Sequence, residues 1–214
     1  MRSRLELFCH KLLEACWLAA LILTPLFFNP YSNRVFEQDK VALLRSLALL
    51  MSAAWVVKTI EAGGTVNGSP RQGLRARLAA NPLALPALLS VAVYILATGL
   101  SVVPHISLFG SYNRAQGLYT TLSYVVIFFV AASHLCSRAQ FERALDVMIL
   151  TSLPISLYGM LQHFGLDPLA LQWSAEVSGR VTGHLGNPIF LAAYLIMVVP
   201  LTLARALQKL GQAI

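Results

Sequence analysis

One polar stretch combines residue types that bind phosphate: residues 179–188, named here the Arg180 loop, with the sequence GRVTGHLGNP. Asn is a favoured N-cap and Pro a favoured first helical residue, so Asn187 and Pro188 predict that a helix starts here. The amides at a helix start carry positive potential, and a guanidinium group pairs well with phosphate oxygens. Arg180 and His184, directly upstream, therefore predict an anion site that also includes Asn187.

The same residues also have a purely structural interpretation, which stays open. Asn81 and Pro82 repeat the Asn-Pro pattern at the start of another apolar run, where no such site is expected. The Asn-Pro pair is thus mainly a way of starting helices in this chain. His184 also fits a position at a membrane interface without any ligand role.

A second polar stretch carries one arginine among glycine and amide residues. It covers residues 107–117, is named here the Arg114 loop, and reads SLFGSYNRAQG. Glycines allow a backbone to approach a ligand closely, and loops of this kind often carry binding residues. Arg114 is therefore a second candidate phosphate contact, and a solvated loop charge is the alternative.

The elements that must position these loops are transmembrane helices. The chain is 57% hydrophobic and 12% charged, against about 25% charged residues in an ordinary soluble domain. A helix needs roughly 20 apolar residues to cross a bilayer. Long runs that are free or nearly free of charge predict an all-α, polytopic transmembrane bundle with about six spans, in one domain over residues 1–214. The predicted spans lie near 12–28, 41–57, 83–103, 118–136, 144–162 and 188–204.

The distribution of basic residues predicts the orientation of these spans. An even number of spans places both termini on one side, and the loops and termini on that side hold eleven basic residues against four on the other. Because cytoplasmic loops are enriched in Lys and Arg, both termini are expected in the cytoplasm and both arginine loops outside. Arg45, inside the second span, is expected to extend its charge to the interface. The net charge of +7 then reflects topology rather than an acidic partner.

Several function classes are excluded or disfavoured by what the sequence lacks. Basic residues do not cluster with stacking aromatics, so no nucleic-acid binding is expected. Cys9, Cys16 and Cys136 show no metal-ligand spacing, and no metal or cofactor motif is present. The spans lack acidic residues at mid-membrane, which disfavours an ion-coupled transporter.

The two loops make the sequence resemble the amino-terminal half of the O-antigen ligase and O-antigen polymerase family of bacterial membrane proteins. Members show an Arg, a Gly-containing stretch and Gly-Asn-Pro before a helix of small residues, as in residues 180–195 here. An earlier outer loop with an aromatic residue, an Arg and a Gly is similar to residues 108–118. Two differences are Ile189, where many members have Asn, and the shorter length of this chain, which lacks their large later loop.

The resemblance implies glycan transfer from an undecaprenyl-pyrophosphate carrier in cell-surface polysaccharide assembly, at the bacterial inner membrane and without a metal. It assigns Arg114 and Arg180 to the pyrophosphate of a polyprenyl-pyrophosphate-linked glycan, and it identifies no catalytic base. The chain is expected to be the amino-terminal part of a larger architecture, incomplete as an enzyme. A non-catalytic transmembrane subunit that packs against other membrane proteins is the alternative.

Overall fold

The computed structural model describes residues 4–29, 36–61, 82–112, 114–135, 137–166 and 180–213. Within these ranges the chain forms seven α-helices and one short 3-10 turn, and it forms no strand. The helices are α1 (Arg4–Leu26), α2 (Phe36–Glu61), α3 (Ala84–Gly99), α4 (Pro104–Phe109), α5 (Leu118–His134), α6 (Arg138–His163) and α7 (Pro188–Ala213). The all-α prediction is confirmed for this part of the chain.

Four helices are long and apolar enough to cross a membrane: α1, α2, α6 and α7. Helices α3 and α5 are apolar but shorter, with 16 and 17 residues. Large hydrophobic side chains are exposed along most of these helices, and lipid is the solvent that suits such surfaces. These features indicate a membrane protein.

The helices extend past several predicted spans and stop short of others. Helix α6 begins at Arg138, six residues before the predicted 144, because Ser137 and Gln140 form a capping box there. Helix α7 begins at the predicted Pro188 and continues to Ala213, beyond the predicted 204. Hydropathy detects only the apolar part of a helix. Helices α6 and α7 continue beyond that part through segments that contain charged residues. The predicted span 83–103 ends as a helix at Gly99, where a turn precedes Pro104.

The chain divides into two compact units, Met1–Ala20 with Val41–Cys136, and Leu21–Lys40 with Ser137–Ile214. In the first unit, α3 and α5 pack against each other, and the short α4 packs on both. The Arg114 loop then leads from α4 into α5. The expectation of a single domain over residues 1–214 stays a prediction.

In the second unit, α6 and α7 pack as an antiparallel pair. At one end Arg205 forms a two-point ion pair with Asp146, with Nε to Oδ1 at 3.1 Å and Nη2 to Oδ2 at 3.2 Å. The Arg180 loop lies at the other end, where Gln162 of α6 contacts its backbone. The helix pair is therefore held together at both ends.

Candidate functional site

One amide side chain fixes the backbone at Thr182 and Gly183 in the Arg180 loop. The Oε1 atom of Gln162, near the end of α6, accepts hydrogen bonds from the backbone N–H of Thr182 at 3.1 Å and of Gly183 at 2.8 Å. The Nε2 atom of Gln162 donates to the Thr182 hydroxyl at 3.4 Å. Thr182 and Gly183 are both buried. A single side chain thus satisfies two backbone donors that burial would otherwise leave unpaired.

His184 is held by its backbone and packed by its ring. Its carbonyl accepts a hydrogen bond from Lys40 Nζ at 2.9 Å, and the same ammonium donates to the Pro25 carbonyl at 3.3 Å. The imidazole packs against Tyr158, with ring centroids 4.4 Å apart, and lies edge-on to Phe28 at 6.4 Å. His184 therefore joins three segments of the second unit.

The surroundings of the His184 ring favour its neutral form. Burial lowers the pKa of His184 from its ordinary value, and the positive charge of Lys40 lowers it further. The buried Nδ1 atom has no hydrogen-bond partner among the described residues. A neutral ring that packs on aromatic side chains suits a structural role better than contact with a phosphate. The ligand role assigned to His184 from sequence stays a prediction.

Asn187 caps α7 as its residue type predicts. Its Oδ1 accepts a hydrogen bond from the backbone N–H of Ile189 at 2.8 Å, and Pro188 is the first helical residue. Gly183 and Gly186 precede it with φ of 56° and 69°, in the left-handed region that glycine adopts without strain. The helix start is confirmed. The Asn187 oxygen serves the helix, and any contact of Asn187 with a ligand stays a prediction.

Arg180 differs from the rest of its loop because its side chain is exposed. It makes no hydrogen bond or ion pair with any other residue that the structure describes. Val181 and Thr182, the next residues, are partly and fully buried. A free guanidinium group thus precedes a backbone that is held in place.

The Arg114 loop is organised by Arg45, a side chain from the first half of α2. Arg45 Nη2 donates to the carbonyls of Phe109 and Ala115, each at 2.8 Å. Its Nε and Nη2 also donate to the hydroxyl of Thr120, at 3.0 and 2.7 Å. The guanidinium carbon lies 4.6 Å from the centre of the Tyr119 ring, which adds a cation–π contact. Arg45 therefore uses its charge to close a loop, and this contact was not predicted.

Two glycines allow the beginning and the end of the Arg114 loop to pass each other at close distance. We call this contact the glycine crossing, and Arg45 holds it. A Cβ on Gly117 would lie 2.5 Å from the Gly110 nitrogen and from the Leu108 carbonyl oxygen. Gly110 has φ of 90°, and a Cβ there would overlap the backbone of Ala115 and Gln116. Ala115 itself adopts φ of 49°, a left-handed conformation that costs about 1 kcal/mol outside glycine. The hydrogen bond from Arg45 to the Ala115 carbonyl stabilises this conformation.

Arg114 is the exposed cation of this loop. Its backbone N–H donates to the Ser111 carbonyl at 3.2 Å, as part of a turn. Its side chain is exposed and makes no hydrogen bond or ion pair within the described ranges. Both candidate arginines are therefore available to a ligand. They lie in different units, and each loop is described by itself.

Sequence reasoning missed the three side chains that hold the loops: Gln162, Lys40 and Arg45. Lys40, one of the four basic residues expected on the outer side, lies in the first turns of α2 and binds two carbonyls. Arg45 did carry a signal, since a charge inside an otherwise apolar span needs a polar partner or an exit to water. Gln162 carried a weaker signal of the same kind.

Some residues used in the sequence predictions lie outside the described residues, among them Asn81, Asn113, Cys136 and Gly179. Cys9 and Cys16 are buried free thiols. Within the described ranges, no group of three or more His, Cys, Asp or Glu side chains could hold a metal ion. No protein-family model, curated protein or solved structure matches this chain.

Proposed function

We propose that this chain is part of a bacterial inner-membrane protein that binds a polyprenyl-pyrophosphate-linked glycan during cell-surface polysaccharide assembly, as an O-antigen ligase or polymerase does. The observation that carries the proposal is the exposed, unpaired Arg180 beside a backbone fixed by Gln162 and Lys40. A guanidinium group binds phosphate oxygens through two parallel hydrogen bonds. A loop that is ordered before binding also avoids part of the entropy cost of association.

Arg114 is a second proposed phosphate contact, in its own loop. The same reasoning applies, because Arg45 holds the Arg114 loop while the Arg114 side chain is exposed. A positive charge near the pyrophosphate would stabilise the negative charge that develops as this group leaves the glycan. We assign no catalytic base, and glycan transfer itself would need residues beyond those described here.

The proposed topology has six spans, formed by α1, α2, α3, α5, α6 and α7, with both termini in the cytoplasm. Arg138 at the start of α6 and Arg205 near the end of α7 lie at the same end of their helix pair, opposite the Arg180 loop. This arrangement agrees with cytoplasmic enrichment of basic residues. A membrane-impermeant thiol reagent added to intact cells should label Arg180→Cys and Tyr112→Cys but not Arg138→Cys. Labelling of Arg138→Cys alone would reverse the orientation.

Binding of undecaprenyl pyrophosphate to the purified full chain in nanodiscs tests the proposed ligand. Loss of a charged hydrogen bond costs about 1.5–3 kcal/mol, so Arg180→Ala should weaken binding roughly tenfold or more. Arg180→Lys should retain part of the affinity, because lysine keeps the charge but not the paired donors. Arg138→Ala is the matched control, since Arg138 is exposed at the opposite end of α6. Unchanged affinity in both Arg180→Ala and Arg114→Ala would contradict the proposal.

A second candidate is a non-catalytic subunit of a membrane complex. It is favoured by the sparse burial of α7. Only 11% of the most apolar stretch of this helix is buried within the chain. Such a surface accepts partner helices as readily as lipid. Failure of the parent chain to bind undecaprenyl pyrophosphate, together with a stoichiometric complex with another integral membrane protein, would favour this candidate.

A further inference from the structure

A corner of the first unit exposes apolar side chains where α3 turns into α4. We name residues 100–109 the α4 corner. Leu100 is 78% exposed, Val102 is 98% exposed and Ile106 is 52% exposed, while Val103 and Phe109 are also exposed. These side chains continue the exposed apolar surface of α3 without a charged residue between them.

The length of α3 places this corner close to a bilayer boundary. A helix of 16 residues is about 24 Å long at 1.5 Å per residue, while the hydrocarbon core is about 30 Å thick. Helix α5, with 17 residues, is only slightly longer. If one end of this pair lies at one boundary, the other end stops several ångströms inside the opposite one. The α4 corner then occupies the remaining depth.

Several backbone groups of the corner are paired without water. Leu100 and Ser101 donate their N–H groups to carbonyls at the end of α3, and Gly110 donates to Ile106. Ser101 Oγ accepts hydrogen bonds from the Val103 N–H at 3.2 Å and from the Ser107 hydroxyl at 2.6 Å. Each backbone group that is satisfied within the segment lowers the cost of placing it beside lipid.

The residues at the edge of the corner are those found at membrane interfaces. His105 packs its ring against Phe109, with centroids 5.1 Å apart. Tyr112 is 83% exposed, and Arg114 follows it as the first charged residue after a charge-free stretch that begins at residue 78. Aromatic residues and arginine concentrate where the acyl chains meet the headgroups.

We propose that the α4 corner inserts into the boundary between lipid headgroups and acyl chains, on the side of the membrane where α3 ends. Its partner is the lipid surface, because the corner continues the lipid-facing surface of α3 and lacks the acidic or basic side chains that would mark a charged protein partner. The proposal is independent of any pyrophosphate binding.

Spin-label accessibility in the full chain, reconstituted in phosphatidylcholine vesicles, tests this insertion. Nitroxide labels at Val102→Cys and Ile106→Cys should collide more often with oxygen than with a water-soluble nickel chelate, at a depth of about 5–10 Å below the headgroups. Arg180→Cys and Lys209→Cys supply matched controls at exposed polar positions, where the nickel chelate should dominate. The Val102 side chain is almost fully exposed, so its replacement removes little packing.

Two results would overturn the proposal. Collision with the nickel chelate at Val102→Cys equal to that at Arg180→Cys would place the corner in water. Low collision with both reagents would show that protein covers the corner. Dilution of labelled chains with unlabelled ones would then test for a second copy, because only a contact between labelled copies loses its spin–spin broadening.

Discussion

The Arg114 loop is closed mainly by one charged side chain, whereas several side chains share in holding the Arg180 loop. Arg45 supplies all the long-range side-chain hydrogen bonds seen in the described part of the Arg114 loop and its Thr120 neighbour. The Arg180 loop shares its support among Gln162, Lys40 and the packing of His184. The first loop should therefore fail as a unit when one residue changes, and the second should loosen by degrees.

The largest effect is expected at the glycine crossing of the Arg114 loop. Gly117→Ala places a Cβ 2.5 Å from two backbone atoms that cannot move aside, so the loop must open, at a cost of about 3 kcal/mol. Thermal unfolding of the purified chain measures the loss. Gly99→Ala is the control in the same unit, because a Cβ there meets nothing within 4 Å. Equal melting temperatures for the two variants would contradict the close approach of Gly117 to the backbone of Leu108 and Gly110.

Arg45 should rank second. Arg45→Met removes the hydrogen bonds to Phe109, Ala115 and Thr120, and should cost about 2 kcal/mol because these acceptors, of which Thr120 is buried, lose a charged donor. Trypsin should then cleave after Arg114 faster than in the parent chain, since the opened loop can bind in the active site of the protease. Arg45→Lys should give an intermediate rate, because an ammonium lacks the planar fork. Cleavage at the parental rate in Arg45→Met would show that Arg45 does not hold the loop.

Gln162→Leu should have a smaller effect on the Arg180 loop. It leaves the N–H groups of Thr182 and Gly183 unpaired and should cost about 1 kcal/mol, while Lys40 still binds the His184 carbonyl. The readout is tryptic cleavage after Arg180, which should rise less than cleavage after Arg114 rises in Arg45→Met. Gln116→Leu is the control, since Gln116 is exposed and makes one long hydrogen bond of 3.5 Å. If cleavage after Arg180 in Gln162→Leu rose more than cleavage after Arg114 in Arg45→Met, the Arg180 loop would depend on one residue more strongly than the Arg114 loop does. That result would contradict the comparison of the two loops.

The smallest effect is a pH dependence carried by His184. Its pKa is lowered in the folded chain, so the unfolded chain binds a proton first as the pH falls. The stabilising contribution is therefore complete above the ordinary pKa of about 6.5, and it is lost as the pH falls from there through the lower folded pKa. Melting temperatures between pH 8 and pH 5 should fall less steeply in His184→Phe than in the parent chain. Parallel profiles would show that His184 does not titrate in this way.

The parts of the fold that could be predicted are those that depend on local signals. Asn187 and Pro188 predicted the start of α7 correctly, because capping involves only neighbouring residues. The break after Gly99 was missed because residues 100–103 carry no charge, although Gly99 and Pro104 both disfavour a continuing helix. Arg45 and Gln162 were missed for a different reason. The partners of Arg45 lie 64 to 75 residues away in the sequence, and those of Gln162 lie 20 to 21 residues away. The order of residue types in a single sequence does not reveal such distant pairs.

The ion pair of Arg205 with Asp146 has a mechanical consequence for the pair formed by α6 and α7. Gln162 holds one end of the pair and Asp146 holds the other, so a shift of one helix along the other by one turn, about 5.4 Å, would break both attachments at once. These contacts oppose shear between the two helices, whereas bending of the pair as a whole leaves both attachments intact. Any motion of this unit should therefore move the Arg180 loop together with the end of α6 rather than past it.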